Sequence, residues 1–132
     1  MVKPTLVDPD KKAGEALLKK LDGIDFDVKA AFWFYLSEPN EWRLFFASPV
    51  VDKKGPKEAY EKVQSQLPEL KGEFEQDYEL SLQNISLVSP NDDLVKLLKA
   101  AIKTGPGVSN IRFTGNVINN VFIEDAYIYR VL

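Results

Sequence analysis

Large apolar residues alternate with other residues at a period of two on both sides of a polar turn, within residues 26–51. This period is typical of a β-hairpin, because successive side chains of a strand point to opposite faces. Both faces of this hairpin are apolar, since Phe32 and Phe34 alternate with Trp33 and Tyr35. One face can supply a hydrophobic core, and the second face then needs cover of its own.

The loop of this hairpin predicts which residues face each other across the two strands. A five-residue loop over 37–41 places Phe32 opposite Phe46 and Phe34 opposite Leu44. All four side chains would then lie on the core face. Because a shift of one residue moves every side chain of a strand to the other face, this assignment depends on the loop length.

The same register brings aromatic and basic side chains together on the second face. It pairs Tyr35 with Arg43 and Trp33 with Phe45. These residue types are enriched at the hot spots of protein interfaces and on surfaces that stack against ligands. The alternative is that helices cover this face too, as they do where both sides of a central strand are buried.

The rest of the chain predicts three helices and three more strands. The helices are recognised by their caps and by apolar residues at helical spacing. They run from Asp8 to Gly23, from Pro56 to Pro68, and from a capped start within 89–93 to Gly105. A third strand is expected within 73–88. The order α-β-β-α-β-α-β-β predicts an α+β fold, with a five-stranded, mostly antiparallel sheet. At least two helices are expected on the Phe32/Phe34/Leu44/Phe46 face, within a single domain over 1–132.

A second hairpin is expected at the C-terminal end of the sequence. A turn at Asn119 and Asn120 pairs apolar residues along both strands, whereas a turn at Gly115 would set Ile111 opposite Asn120. We therefore prefer the first turn. It places Glu124 opposite Gly115 on an apolar face, which is unusual for a carboxylate unless the strand bulges there.

Composition narrows the classes of function. The chain has no cysteine and no histidine, so it lacks disulfides, thiolate ligands and the commonest general base near neutral pH. An enzyme would have to use Asp, Glu, Lys or Tyr alone, and we expect a non-enzymatic protein. The net charge of −3 argues against nucleic-acid binding. Without a signal sequence or a long apolar run, the sequence predicts a cytoplasmic protein with no membrane contact.

Two acidic stretches resemble metal sites at first sight. Asp22, Asp25 and Asp27 crowd one turn, but the glutamate that closes an EF-hand calcium loop is missing. Four more acids alternate along 73–79, where they would line one face of the third strand. Both stretches are typical of solvated surface charge. We expect no metal and no cofactor.

The leading hypothesis is a protein-interaction or accessory module, a homodimer or the binder of another protein, that uses Trp33, Tyr35, Arg43 and Phe45. The alternative is a small-ligand binding domain in which the same aromatic side chains stack on an apolar or planar ligand. A flat aromatic face matched by a symmetric copy would indicate the interface. A concave face with convergent polar groups would indicate the ligand site.

Overall fold

The computed structural model describes residues 2–73 and 80–132, with the side chains of 69 and 71–73 left out. The elements in chain order are α1 (Asp8–Gly23), β1 (Ala30–Leu36), β2 (Glu41–Ala47), α2 (Val50–Lys54), α3 (Pro56–Glu73), β3 (Ile85–Val88), α4 (Asp93–Lys99), β4 (Ile111–Ile118) and β5 (Val121–Val131). A 3-10 turn, Leu82–Asn84, leads into β3.

The predicted α+β class and its five-stranded sheet are confirmed. The strands lie in the order β3-β2-β1-β5-β4, and β3 runs parallel to β2 while the other pairs are antiparallel. The sheet is therefore mixed but mostly antiparallel. Two details differ from the sequence prediction: the short helix α2 precedes α3, and β3 has only four residues.

The predicted register of the β1–β2 hairpin is wrong by one residue. Leu36 pairs with Glu41, which leaves a four-residue loop, and Trp33 pairs with Leu44. The shorter loop closes because Asn40 takes a left-handed conformation with φ of 54°, which asparagine tolerates better than most residues. The pattern of apolar residues could not distinguish the two registers, because both faces of the sheet are covered and either register buries apolar residues.

The first face of the sheet packs against α1 and α3. Leu17, Leu18 and Leu21 of α1 are fully buried there, as are Ala59 and Val63 of α3. The sheet contributes a row of mostly aromatic side chains to this face: Ala31, Trp33, Tyr35, Trp42, Leu44, Phe46, Tyr127 and Tyr129. The two longest helices therefore lie on the side that the sequence analysis had left for a partner.

The second face packs against α4. Val95 and Leu98 of this helix are buried against the sheet residues Ala30, Phe32, Ala47, Ala126 and Ile128. The expectation that Phe32, Phe34, Leu44 and Phe46 share one face is wrong, because the one-residue shift separates the first two from the last two. The seven residues of α4 span about 10 Å, and the side chains of Phe34 and Phe45 stay half-buried beside it.

Helix α3 continues past the proline that was expected to end it. Pro68 lies inside the 18-residue helix, although it cannot donate the hydrogen bond that a helix interior requires. The fully buried Leu70 follows Pro68 on the core side, and its burial favours continuation of the helix. Neither α3 nor another helix in the described part of the chain has the length and apolar character that crossing a membrane requires.

Gly14 allows α1 to approach the sheet closely. A Cβ atom added at this position would lie 2.5 Å from the Tyr129 hydroxyl oxygen and 2.9 Å from Trp33 Nε1. Those two atoms are hydrogen-bonded to each other at 3.0 Å in the core. The residue at position 14 therefore sets how closely helix and sheet pack.

Gly14→Ala is expected to lower the free energy of unfolding by roughly 1–3 kcal/mol, because the added methyl group displaces the Trp33–Tyr129 pair. Alanine's better helix propensity offsets only about 1 kcal/mol of that loss. Urea unfolding of Gly23→Ala is the control, since nothing lies within 4 Å of a Cβ there. A Gly14→Ala protein as stable as this control would contradict the close approach.

The C-terminal hairpin has the predicted turn and register. Asn119 and Asn120 both have positive φ values, 49° and 66°, as a two-residue turn matched to the strand twist requires. Phe113 pairs with Ala126, and Thr114 pairs with Asp125. These pairs and φ values confirm the prediction. It could be made from the sequence because only one placement of the turn satisfies both the asparagines and the apolar pairs.

Side-chain alternation is interrupted where Gly115 meets Glu124. Ile123 and Ala126 both belong to the second-face core although they are three positions apart, and the carboxylate of Asp125 accepts hydrogen bonds from Arg112. Gly115 has φ of +56°, which provides the local change of direction. The register is the same on both sides of this point, so β5 has no bulge here, and the Glu124 side chain is 42% exposed.

The predicted acidic strand is only partly within the described residues. Glu73 is the last residue of α3, whereas Glu75, Asp77 and Glu79 lie outside the described residues. The chain resumes at Leu80, which is buried in the first-face core.

Candidate functional site

The four residues predicted as one binding surface lie on opposite faces of the sheet. Trp33 and Tyr35 belong to the first face, where α1 and the N-terminal segment bury them. Arg43 and Phe45 lie on the second face, because Phe34 pairs with Arg43 and Phe32 with Phe45. The contiguous aromatic block expected from the five-residue loop is therefore not present in this register.

Trp33 and Tyr35 are held by hydrogen bonds within the fold. Trp33 Nε1 donates to the Tyr129 hydroxyl oxygen, and the Tyr129 hydroxyl donates to the backbone oxygen of Lys11 in α1. Tyr35 donates to the side-chain oxygen of Asn40 in the hairpin loop. Burial raises the pKa of Tyr129 far above its usual value, so this hydroxyl stays protonated and keeps its role as a donor.

Arg43 ties β2 to the start of β3. Its Nε donates to Ser86 Oγ at 3.0 Å, and its two terminal nitrogens donate to the backbone oxygens of Gln83 and Ile85 at 2.9 and 3.3 Å. Glu41 lies 3.6 Å away as an ion-pair partner. These contacts use most of the guanidinium donors and fix the short parallel strand β3.

Phe45 belongs to a cluster of three phenylalanines on the second face. Its ring stacks on Phe32 with a centroid distance of 5.2 Å and meets Phe34 edge-on at 6.4 Å. Phe32 is fully buried, while Phe34 and Phe45 are half-buried. Such aromatic pairs add roughly 0.5–1.5 kcal/mol each beyond their buried area, so the cluster stabilises the sheet and still presents two ring edges to solvent.

Among the described residues, two large and mostly exposed apolar side chains face each other at the end of the C-terminal hairpin, which the sequence had not singled out. Strand β5 pairs with β1 from Ala126 to Val131, whereas its residues 121–125 pair with β4. We call residues 114–124 the arm. Val117 and Phe122 face each other across the arm and are 65% and 61% exposed. Their neighbours Ile118 and Ile123 are buried in the second-face core, so Val117 and Phe122 point away from it.

A sequence signal for the arm existed. Residues 114–123 carry no charged side chain, in a chain of which 28% of residues are charged. A charge-free hairpin end with alternating apolar residues is unusual for a surface, where charges normally prevent association. The turn predicted at Asn119 and Asn120 pairs Val117 with Phe122, as observed, but the turn alone did not show that both side chains face solvent.

A buried carboxylate connects the N-terminal segment to the sheet. Asp125 is 1% exposed, and it accepts two hydrogen bonds from Arg112 at 2.5 Å and one from Lys3 at 2.7 Å. Burial alone raises the pKa of Asp125, but the hydrogen bonds and charges of Arg112 and Lys3 outweigh it and hold the pKa below its usual range. The carboxylate that pairs with Arg112 is therefore that of Asp125, the neighbour of Glu124.

The acidic turn at 22–27 is occupied by ion pairs. Arg130, which is buried, donates to both carboxylate oxygens of Asp22 at 2.9 and 2.8 Å, and Lys29 lies 2.9 Å from Asp27. No group of three or more His, Asp or Glu side chains is placed to hold a metal ion among residues 2–73 and 80–132, so far as their side chains are described.

The first face is covered by α1 and α3, whereas the arm leaves Val117 and Phe122 exposed. The arm is therefore the candidate site. Comparison of the chain with protein-family models, with curated proteins and with solved structures found no match.

Proposed function

We propose that this protein is a protein-interaction module that pairs with a second copy of itself through the arm. The exposure of Val117 and Phe122, an apolar pair at the centre of a charge-free hairpin end, carries this proposal. The surface differs from the one expected from the sequence, because Trp33 and Tyr35 are committed to the core of the fold.

The composition of the arm resembles the centre of a protein interface. Interface centres are depleted in charged residues and enriched in aromatic ones. The arm contains Val117, Val121 and Phe122, which are three of the six large apolar residues that are 40% or more exposed in the described residues. Val117 and Phe122 share one face of the arm, and Val121 lies on the other, opposite Ile118. Exposed apolar side chains gathered at one place, rather than scattered singly, are typical of a docking surface.

A second copy is the partner that the charge pattern favours. A two-fold axis sets a surface against itself, so any charge at its centre would meet a like charge. The arm avoids this because its only charged residue, Glu124, lies at its end. Asn119 and Asn120 form the turn next to the apolar pair, and their amide groups, which both donate and accept, can pair with their own kind.

Phe122→Asp is expected to weaken dimer formation at least about 30-fold, the effect of losing a contact worth about 2 kcal/mol at an interface hot spot. Sedimentation velocity over a range of concentrations measures this. The wild type should shift from one chain mass towards two as its concentration rises, whereas the variant should stay near one. Circular dichroism should stay that of a folded protein, since the Phe122 side chain is mostly exposed.

Val7→Asp is the matched control, because it adds the same charge at another exposed apolar residue away from the arm. Its dimer should form as the wild-type dimer does. A wild type that remains monomeric at high concentration would refute pairing of the arm, as would an equal loss of dimer in both variants.

A further inference from the structure

The two edges of the sheet are protected to different extents. At one edge, β3 has only four residues, and the backbone nitrogen of Leu87 donates to the Tyr60 hydroxyl oxygen of α3 at 3.1 Å. At the other edge, β4 has eight residues. The unpaired main-chain groups of an edge strand can bind another strand, so proteins usually protect the edge by shortness, charge, proline, a bulge or a covering element.

Strand β4 lacks these protections. It contains no proline, and its one charged residue, Arg112, is paired with Asp125 of the neighbouring strand. Its register with β5 is unshifted from end to end. Among the described residues, the one side chain that hydrogen-bonds to its main chain is that of Asn116 in the strand itself, whose Nδ2 donates to the Thr114 oxygen at 2.7 Å. The outer edge of β4 is therefore open to a further strand.

The turn of the hairpin shows which main-chain groups of β4 point outwards. Ile118 and Val121 flank the two-residue turn, and residues in these positions exchange main-chain hydrogen bonds. Because hydrogen-bonded and non-hydrogen-bonded pairs alternate, the next pair, Val117 and Phe122, points its main-chain groups away from the hairpin. Those of Val117 lie on the open edge of β4, and those of Phe122 lie on the opposite edge of the arm.

The side chains of β4 follow a face pattern that reads the same in both directions. Because paired residues share a face, four side chains point to the second face: Ile111, Phe113, Asn116 and Ile118. Three point to the first face: Arg112, Thr114 and Val117. The pattern is symmetric because alternation is interrupted at Gly115. A regular strand of eight residues has no such symmetry, since its first and last side chains point to opposite faces.

This symmetry allows β4 to pair with a second copy of itself along its whole length. Antiparallel pairing about the centre of the strand sets residues of the same face opposite each other, in three kinds of pair: Ile111–Ile118, Arg112–Val117 and Phe113–Asn116. The two Arg112 residues stay apart by five positions along the strands, roughly 17 Å. On the opposite edge of the arm, a two-fold axis would bring Glu124 towards its own copy, so the charges favour the β4 edge.

We propose that the β4 strands of two copies pair edge to edge, antiparallel about a two-fold axis between Thr114 and Gly115. This inference rests on the pairing of the arm proposed above and names the surface through which the second copy binds. Val117 exchanges main-chain hydrogen bonds with Arg112 of the second copy, and the two five-stranded sheets become one sheet of ten strands. The Val117 side chain lies at the joint, and Phe122 packs beside it from β5.

Amide hydrogen exchange of the wild type tests the edge, measured by NMR at concentrations below and above the dissociation constant that sedimentation gives. The Val117 N–H should exchange at least about tenfold more slowly in the dimer, because only there is it hydrogen-bonded. The Phe122 N–H, on the other edge of the arm, should exchange at one rate throughout, and the Ile118 N–H should be protected throughout. Equal slowing of the Val117 and Phe122 amides, or slowing of neither, would overturn edge pairing.

Single cysteines test the register, because the chain has none of its own. Phe113 would face Asn116 of the second copy with Cα atoms about 4.5–5.5 Å apart, within the range of roughly 4.4–6.8 Å for a disulfide. Phe113→Cys mixed with Asn116→Cys should therefore form a disulfide-linked dimer on mild oxidation. Each variant oxidised alone is the control, because identical residues lie three positions, about 10 Å, apart along the strands. Linkage of one variant to itself as readily as in the mixture would contradict the register.

The outcomes separate this inference from the proposed function. A wild type that stays monomeric at high concentration refutes both. A wild type that forms a dimer, but whose Val117 amide exchanges as fast as in the monomer, refutes edge pairing alone and leaves the arm to pair in another way. Circular dichroism of the cysteine variants checks that each is folded, and the exchange measurement needs no substitution at all.

Discussion

Phe46→Ala is expected to lower the free energy of unfolding by about 3–5 kcal/mol, the range for truncation of a fully buried phenylalanine. Phe46 is 0% exposed and packs on the first face beneath the two longest helices. Removal of its ring leaves a cavity that the surrounding sheet and helices can close only in part. This would be a large share of the 5–15 kcal/mol that stabilises a typical domain.

Phe34→Ala provides the comparison, because it removes the same atoms from the same hairpin. Phe34 is half-buried on the second face, so its truncation should cost roughly half as much. Urea unfolding of the two variants measures the difference. Equal losses would support the five-residue loop, in which both residues would be core, and would contradict the four-residue loop observed here.

The two hairpins show what the sequence could and could not determine. In the C-terminal hairpin, Asn119 and Asn120 suit a turn that needs two positive φ values, and only that turn pairs apolar residues. Turn chemistry and periodicity agree, and the register was predicted correctly. In the β1–β2 hairpin, both faces are apolar, so a shift of one residue exchanges one buried set for another.

The error at the candidate site follows from that shift and from the arrangement of the helices. Sequence periodicity identified Trp33 and Tyr35 as neighbours on one face, and the structure confirms that they share it. It could not show that α1 packs there, because strand order and helix placement depend on long-range contacts. Gly14 takes part in one such long-range contact, because its lack of a side chain leaves room for Trp33 and Tyr129 of the sheet.

The position of the N-terminal segment could not be predicted from the sequence for a related reason. Asn40 and Trp42 donate hydrogen bonds to its backbone oxygens at Val2 and Pro4. Lys3 adds a hydrogen bond to Asp125, and these two residues are 122 positions apart. No periodicity connects two such positions. The arm, in contrast, is local in sequence, and its missing charges were visible there.

Replacement of both cations around Asp125, as Lys3→Met with Arg112→Met, is expected to cost about 3 kcal/mol of stability at neutral pH. The carboxylate would remain almost fully buried without an opposing charge. The cost lies at the low end of the range for a broken buried pair, because the side chain of Arg112 is 47% exposed and water can replace part of its contact.

Asp125 should also affect the pH dependence of stability in opposite directions, and in different pH ranges, in the wild type and the variant. In the wild type the pKa of Asp125 is lowered, so its contribution is present above the unfolded pKa near 4 and is lost as the pH falls through the folded pKa. In the double variant, burial acts alone and raises the pKa of Asp125. Its folded state should then gain stability as the pH falls from about 7 to about 5, where the carboxyl takes up a proton.

Urea unfolding at these two pH values separates the ion network from general effects of charge. Lys12→Met with Lys62→Met removes two exposed cations and should change stability little. Adding Asp125→Asn to the Lys3/Arg112 variant should restore part of the stability at neutral pH and abolish its pH dependence, because no buried carboxyl remains to titrate. If the double variant is as stable as the Lys12/Lys62 control, the N-terminal segment is not held by Asp125.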